Sequence, residues 1–130
     1  MAATPPPPSW EEIDPFIEAF ERSYAREGGA DLAAFLPEPG HPHYLAVLRE
    51  LVRADIEYGW RSGAPRRAEE YLSAFPALGA DPDGRCVVAF EEYRQRHRAG
   101  DHPSPAEYRQ RLGVETIDWP LSLPAAARDR

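Results

Sequence analysis

Five arginines near the end of the chain are the residues whose type and spacing best suit ligand chemistry. A guanidinium group presents a planar fork of N–H donors that matches the geometry of a carboxylate or a phosphate. The cluster is unusual because the whole chain carries a formal net charge of −7. We predict a docking face for an acidic or phosphorylated partner, formed by Arg94, Arg96, Arg98, Arg109 and Arg111. The alternative is an ordinary charged surface with internal Glu–Arg pairs.

Two acidic pairs, Glu69-Glu70 and Glu91-Glu92, are the candidates for general acid–base catalysis. Such catalysis needs carboxylates that lie in a cleft and have perturbed pKa values. No feature of the sequence around these pairs builds such a cleft. We therefore interpret both pairs as parts of exposed, solvated helix faces.

Three histidines and the single cysteine are the candidates for metal binding or nucleophilic catalysis. His41-x-His43 could supply two metal ligands, but no cysteine or carboxylate cluster of ligand spacing accompanies it, and a loop before a helix fits better. Cys86 could be activated by His97, yet about three helical turns separate them on one helix. We expect Cys86 to be a small buried residue, and we predict no catalytic residue, cofactor or metal site.

The chain contains no lysine and no asparagine. Schiff-base chemistry, a P-loop and the ATP-binding site of a protein kinase each need a lysine. The catalytic loop of a kinase also needs an asparagine. A genome that favours arginine codons would explain the missing lysines, but the exclusion of these enzyme classes holds in either case.

Composition and charge restrict the class of protein. At 130 residues with 42% hydrophobic residues, the chain fits one domain with a single core. The net charge of −7 argues against nucleic acid or an anionic membrane as a partner. No apolar run reaches the length of about 18 residues that spans a bilayer. We expect a cytoplasmic protein, since the N-terminus lacks the pattern of a secretory signal and the single cysteine cannot form an internal disulfide.

The stretch from His41 to Pro76 predicts a helical hairpin around which the rest of the chain is built. Its first half is a long amphipathic helix. Gly63 and Pro65 end that helix, and a short helix AEEYLSAF follows. The apolar stripe of the long helix consists of Tyr44, Leu45, Leu48, Leu51, Val52 and Ile56.

Further helices are predicted on both sides of this hairpin. The first starts at one of two cap signals, Ser9 or Asp14, and ends near Arg26; a short helical segment LAAFL follows it. The helices RCVVAFEEYRQRHR and AEYRQRL come later, separated from the hairpin by ALGADPDG, which we expect to be a mobile loop. We assign a Pro-rich disordered tail to residues 1–12, a helical domain to 13–113, and an extended or disordered tail to 114–130.

An internal repeat connects these elements. Phe35, Tyr71 and Tyr108 are spaced by 36 and 37 residues, and a glycine stands eight residues before each tyrosine. The spacing predicts an all-α bundle of six or seven helices built from three degenerate helical hairpins. Its core should include Phe20, Leu48, Leu51, Leu72, Phe75 and Phe90.

The run from Leu48 to Pro76 resembles the helical region that precedes the catalytic domain in many planctomycete serine/threonine protein kinases. That region carries a segment of the form L-R-E-L-x-x-x-E-x-E-Y-x-x-x-x-G-x-x-P-x-x-E-E-Y-x-x-x-F-P, often twice. Residues 90–113 fit a second copy and residues 16–36 fit the usual opening, whereas Gly59-Trp60 and Ala68 depart from the pattern. The residues that fit the main copy are Leu48, Arg49, Glu50, Leu51, Glu57, Tyr58, Gly63, Pro65, Glu69, Glu70, Tyr71, Phe75 and Pro76.

This resemblance implies a non-catalytic interaction or regulatory module that is associated with a bacterial serine/threonine kinase. Its partner would be another protein or a kinase domain, either following Arg130 in a longer protein or acting as a separate chain. The alternative is a small α-helical enzyme or ligand-binding protein with a pocket between hairpins. That pocket would be lined by Tyr24, Tyr58, Trp60 and Tyr93.

Overall fold

Six α-helices and one short 3₁₀ helix, with no strand, form the part of the chain that the computed structural model describes, residues 10–120. The predicted all-α fold class is therefore confirmed. Our expectations for the Pro-rich residues 1–9 and for Leu121 onward lie outside the described residues. The 3₁₀ helix is Leu32–Phe35, and the α-helices are α1 (Trp10–Glu27), α2 (Tyr44–Ser62), α3 (Ala68–Ala74), α4 (Pro76–Gly79), α5 (Pro82–Arg98) and α6 (Pro105–Leu112).

The chain divides into two compact units, Met1–Leu51 and Val52–Arg130. In the first unit, α1 packs against the 3₁₀ helix, and the fully buried Phe20 makes an edge contact with Phe35 at 5.8 Å between ring centroids. The helix α1 already includes residues 10–12, which the sequence assigned to the tail. The first of the two predicted start signals therefore lies closer to the observed beginning of the helix.

The second unit is arranged around α5, which packs against α3, α4 and α6. Its core contains fully buried residues of the second half of α2, such as Val52 and Ile56, together with Leu78 and Val88. Burial of such aliphatic side chains is the main favourable term in folding a domain of this size. A connected aromatic part of the core is formed by Ala89, Tyr93, Tyr108 and Val114.

The predicted repeat is visible in this second unit. The helices α2 and α5 both end at a glycine with left-handed backbone, Gly63 with φ +83° and Gly100 with φ +92°, a conformation that glycine adopts without strain. A short helix follows each glycine, and its tyrosine is buried against the preceding long helix. Tyr71 and Tyr108 thus occupy equivalent positions in the two copies, and the hydroxyl of each donates to a carboxylate of the preceding long helix.

The segment ALGADPDG is not a loop, contrary to our prediction. Residues from Pro76 form α4, and the carboxylate of Asp81 caps α5 by accepting the Gly84 N–H at 2.9 Å. Arg85 also donates a hydrogen bond to the Gly79 carbonyl at 2.9 Å. The sequence Asp81-Pro82 is a helix-start signal, with proline at the first helical position, that we read as part of a turn.

Three of the six predicted core residues are buried, and three are only half-buried. Phe20, Leu48 and Leu51 have no exposed surface. The other three are Leu72, Phe75 and Phe90. The helix α5 is rotated away from the face that the predicted core residue Phe90 implies, so that Val88 is buried and Phe90 is half-buried. Contacts with three other helices determine that rotation, and the apolar period within α5 does not encode them.

The segment after α6 lies partly against the aromatic core. The Trp119 ring contacts Phe90 at 5.2 Å and Tyr93 at 4.9 Å between centroids. Val114 is buried, whereas Ile117 is 82% exposed. The first residues of the segment assigned to the C-terminal tail therefore contact the core through Val114 and Trp119 and not through Ile117.

Candidate functional site

The candidate site is built around one buried carboxylate, Glu92, in the middle of α5. Its side chain is 3% exposed. One carboxylate oxygen accepts the backbone N–H of Ala68, the first residue of α3, at 2.7 Å. The other accepts the Tyr108 hydroxyl of α6 at 2.5 Å. A single carboxylate thus connects α5 with both of its neighbouring short helices.

Arg111 supplies the positive charge that Glu92 needs in a buried position. Its guanidinium donates to Glu92 at 2.8 and 3.2 Å and forms a two-pronged pair with Glu69 at 2.9 and 2.6 Å. A further N–H bond reaches Glu107 at 2.7 Å. The same group lies over the Tyr108 ring at 4.8 Å. These hydrogen bonds, the pair with Glu69 first, raise the pKa of Arg111 above its usual range.

Arg96 completes the network from the end of α5. It donates to Asp101 at 2.8 Å, to Glu107 at 2.5 Å and to the Tyr108 hydroxyl at 3.1 Å. Burial opposes its charge, but these hydrogen bonds outweigh that effect and raise the pKa of Arg96. We name the whole arrangement the Glu92 cluster; its members are Glu69, Glu92, Arg96, Glu107, Tyr108 and Arg111.

The pKa values of three groups in the cluster are shifted away from neutral pH. The hydrogen bond from Arg111 lowers the pKa of Glu69, even though burial acts in the opposite direction. Burial also opposes the charge of Glu107, but the bonds from Arg96 and Arg111 prevail and lower its pKa. Burial and the hydrogen bond to Glu92 raise the pKa of Tyr108. A group poised for proton transfer has a pKa near the working pH, and these shifts move all three groups away from it.

A cleft of about 350 Å³ opens beside the cluster. Its walls include Glu92, Arg96, Glu107 and Arg111 of the cluster. They also include Asp101, Trp60 from the end of α2, and Pro65, Arg66 and Arg67 from the connection between α2 and α3. Both Arg66 and Arg67 are exposed. The cleft therefore combines an aromatic ring with four arginines and three carboxylates.

The five arginines predicted to form a docking face do not share one environment. Arg96 and Arg111 belong to the Glu92 cluster, Arg94 donates to Glu91 at 2.9 Å, and Arg109 donates to the Thr116 hydroxyl at 2.7 Å. Arg98 makes no hydrogen bond or ion pair with any residue that the structure describes. Internal pairing with glutamate, the alternative reading of the sequence, thus applies to three of the five.

The expectation that Glu91 and Glu92 lie on an exposed helix face is wrong. Glu91 is 1% exposed and accepts hydrogen bonds from Arg94 at 2.9 Å and Gln95 at 2.8 Å. Both glutamates are buried because α5 has neighbours on several sides, and a buried carboxylate is tolerated when arginine and N–H donors surround it. The pair Glu69-Glu70 is half-buried at Glu69 and exposed at Glu70.

The predicted histidine, cysteine and aromatic-pocket residues do not come together in one site. His41 Nδ1 accepts the His43 N–H at 3.0 Å, as in a loop that leads into α2. Cys86 is half-buried and not buried as expected. Of the predicted pocket residues Tyr24, Tyr58, Trp60 and Tyr93, the cleft includes only Trp60. Tyr93 has no exposed surface, and its hydroxyl donates to the Pro120 carbonyl.

Sequence reasoning missed the role of Glu92, although one signal for it exists. Tyr71 donates its hydroxyl proton to Asp55 at 2.6 Å, and Tyr108 donates to Glu92; each carboxylate stands 16 residues before its tyrosine. An acidic residue at the same place in both copies of the repeat could have identified the pair.

Comparisons with protein-family models, with curated proteins and with solved structures found no significant match. Within residues 10–120, no helix has the length and apolar character needed to cross a membrane. Nor do three or more histidine, cysteine or acidic side chains of this part of the chain come together as a metal site.

Proposed function

We propose that this chain is a non-catalytic helical module for protein interaction and regulation, associated with a bacterial serine/threonine kinase in the cytoplasm. The observation that carries the proposal is the internal use of the polar groups beside the cleft. Glu92 alone accepts four hydrogen bonds from α3 and α6. A carboxylate occupied in this way supports the packing of helices and is not free to transfer protons.

The charges of the cluster support the same conclusion. Glu69 and Glu107 have lowered pKa values and Tyr108 has a raised one, so around neutral pH the carboxylates stay ionised and the phenol stays neutral. Catalytic acids and bases have the opposite property, with pKa values displaced toward the working pH. The cluster thus resembles a structural ion network more than an active site.

The kinase association rests on the resemblance of residues 13–113 to the helical region ahead of certain bacterial kinase domains. The glycine breaks and the paired short helices of that pattern occur in α2–α3 and in α5–α6. A surface that carries both aromatic and arginine side chains also fits a protein-binding role, since tryptophan and arginine are enriched at binding hot spots.

A titration and an activity assay test the proposal together. The purified chain is titrated by calorimetry with a serine/threonine kinase catalytic domain from the same organism, and is separately incubated with ATP and Mg²⁺. We expect saturable binding to the kinase domain and no phosphate release above that of heat-denatured chain. Turnover that is abolished by Glu107→Gln in a folded variant would instead favour the enzyme alternative, in which the cleft is an active site.

A further inference from the structure

We propose that the cleft beside the Glu92 cluster binds an acidic peptide segment through Arg66 and Arg67, an inference that rests on the proposed interaction function and specifies its partner. Neither guanidinium forms an ion pair within residues 10–120, although both line the cleft and are exposed. Each arginine offers five N–H donors in a planar fork suited to carboxylates. The two side chains therefore provide unused binding capacity for an anion.

The other charged groups of the cleft are already neutralised. Asp101 accepts from Arg96 and from the His102 N–H at 2.9 Å, Glu107 accepts from two arginines, and both oxygens of Glu92 are occupied. The carboxylates around Arg96 and Arg111, Glu69 included, match their charges, so Arg66 and Arg67 are the wall arginines without an ion pair among residues 10–120. The complementary ligand is consequently an anion, and the remaining free groups of the cleft are donors.

Hydrogen bonds fix the backbone on both sides of the two arginines. On one side, the Gly59 carbonyl accepts the Ala64 N–H at 2.8 Å, and a Cβ at Gly59 would lie 2.9 Å from the Ala64 oxygen. On the other side, Arg67 donates its N–H to Glu70 at 2.8 Å, and the next N–H, that of Ala68, is bound to Glu92 at 2.7 Å. Preorganisation of this kind lowers the entropic cost of binding.

A peptide fits the cleft better than a free inorganic anion. Trp60 and Pro65 present apolar surface next to the arginines. An acidic residue followed by an apolar one would satisfy both kinds of wall, whereas phosphate would use only the arginines. Trp60 also provides a reporter, because it lines the cleft and its indole N–H is buried there without an acceptor among the described residues.

The test uses the full chain and an acetylated, amidated peptide that alternates aspartate with leucine. The same peptide with asparagine in place of aspartate is the charge control, and inorganic phosphate is a third probe. Binding is measured by calorimetry, and the Trp60 indole signal is followed by NMR, assigned with Trp60→Phe. We expect saturable binding and a shift of that signal with the aspartate peptide alone.

Two double variants with the same change in net charge make the test specific. Arg66→Glu with Arg67→Glu alters the cleft, and Arg22→Glu with Arg26→Glu alters exposed positions of α1. The cleft variant should bind the aspartate peptide about tenfold or more weakly, as expected for loss of charge-assisted hydrogen bonds. The α1 variant should bind as the parent does. Circular dichroism and urea unfolding establish that each variant is folded.

The proposal is overturned if no saturable binding occurs, if both variants weaken binding equally, or if phosphate binds more tightly than the peptide. Titration with the kinase catalytic domain distinguishes failure of the arginine site from failure of the proposed function. Equal binding of that domain by parent and cleft variant would refute the arginine site and leave the interaction function standing. Binding of the peptide without binding of the kinase domain would refute the kinase association and leave the site standing.

Discussion

The two tyrosine–carboxylate pairs of the repeat have the same chain geometry and different surroundings. Asp55 of α2 accepts from Tyr71 of α3, and Glu92 of α5 accepts from Tyr108 of α6. Both carboxylates are buried, at 8% and 3% exposure. Asp55 has no other hydrogen-bond donor among residues 10–120, whereas Glu92 also receives bonds from Ala68 and Arg111. The second pair has thus become the point where three helices meet.

The same local motif therefore serves two structural purposes in this chain. The first pair fixes one short helix on one long helix. The second pair does the same, and its carboxylate also binds the N-terminus of α3 and the arginine of α6. We therefore expect the two sites to respond differently when the carboxylate or the tyrosine is changed.

The largest effect is expected for Glu92→Gln. The substitution removes the charge that faces Arg111 inside the cluster, and breaking a buried ion pair by removing one partner costs about 3–5 kcal/mol. The free energy of unfolding from urea titration measures this loss. Glu18→Gln, at an exposed position of α1, is the control and should be nearly neutral. A loss below about 1 kcal/mol for Glu92→Gln would mean that the cluster contributes little to stability.

Tyr71→Phe should have the next largest effect. It leaves the buried Asp55 carboxylate without its only described donor, and an unsatisfied charged group of this kind costs about 1.5–3 kcal/mol. The same urea titration applies. An equal loss in the Tyr71→Phe variant and in Asp55→Asn with Tyr71→Phe would contradict the explanation, because the double variant has no unpaired charge.

Tyr108→Phe should cost less than Tyr71→Phe, at about 0.5–1.5 kcal/mol. Glu92 keeps its bonds from Ala68 and Arg111 in this variant. Tyr108 is slightly more buried than Tyr71, so burial alone would predict the larger loss of stability for Tyr108→Phe. We expect the opposite order. If Tyr108→Phe proves the more destabilising variant, the supposed redundancy of bonds at Glu92 is wrong.

The smallest effect is expected for Glu69→Gln, and it should depend on pH. Because Arg111 lowers the pKa of Glu69, the stabilisation is fully present above the ordinary pKa of 4.5 and is lost as pH falls through the lowered value. At neutral pH the partly exposed pair should contribute about 0.2–1 kcal/mol. The difference in unfolding free energy between parent and variant should vanish in acid. A difference that persists below the lowered pKa would rule out the charge of Glu69 as its source.

The fold was largely predictable because its signals are local. A glycine that ends a helix and a proline that stops its continuation act on the backbone of a few neighbouring residues, and the structure has the predicted helix end at Gly63. Asp81-Pro82 carried the same kind of signal, and we misread it because glycine and alanine surround it. Half-burial of Leu72, Phe75 and Phe90 depends on contacts between helices, which no local pattern specifies.

The site was hardly predictable, because it too depends on contacts between helices that are distant in the chain. The bonds of Glu92 reach Ala68 and Arg111, 24 and 19 residues away in the chain. A glutamate at this position looks like any solvated helix residue until the positions of α3 and α6 are known. The docking face predicted from the five arginines stays a prediction, and for Arg96 and Arg111 the observed partners are carboxylates of the chain itself.

Hydrogen exchange at the Ala68 amide tests most directly whether Glu92 holds α3 in place and thereby positions Arg66 and Arg67. This N–H has its acceptor in another helix, so its protection reports on that one bond. We predict that it exchanges as slowly as amides in the interior of α5 and becomes fast in Glu92→Gln, while amides within α2 change no more than overall stability requires. Rapid exchange of the Ala68 amide in the parent, at the rate of an unprotected peptide, would contradict the central role of Glu92.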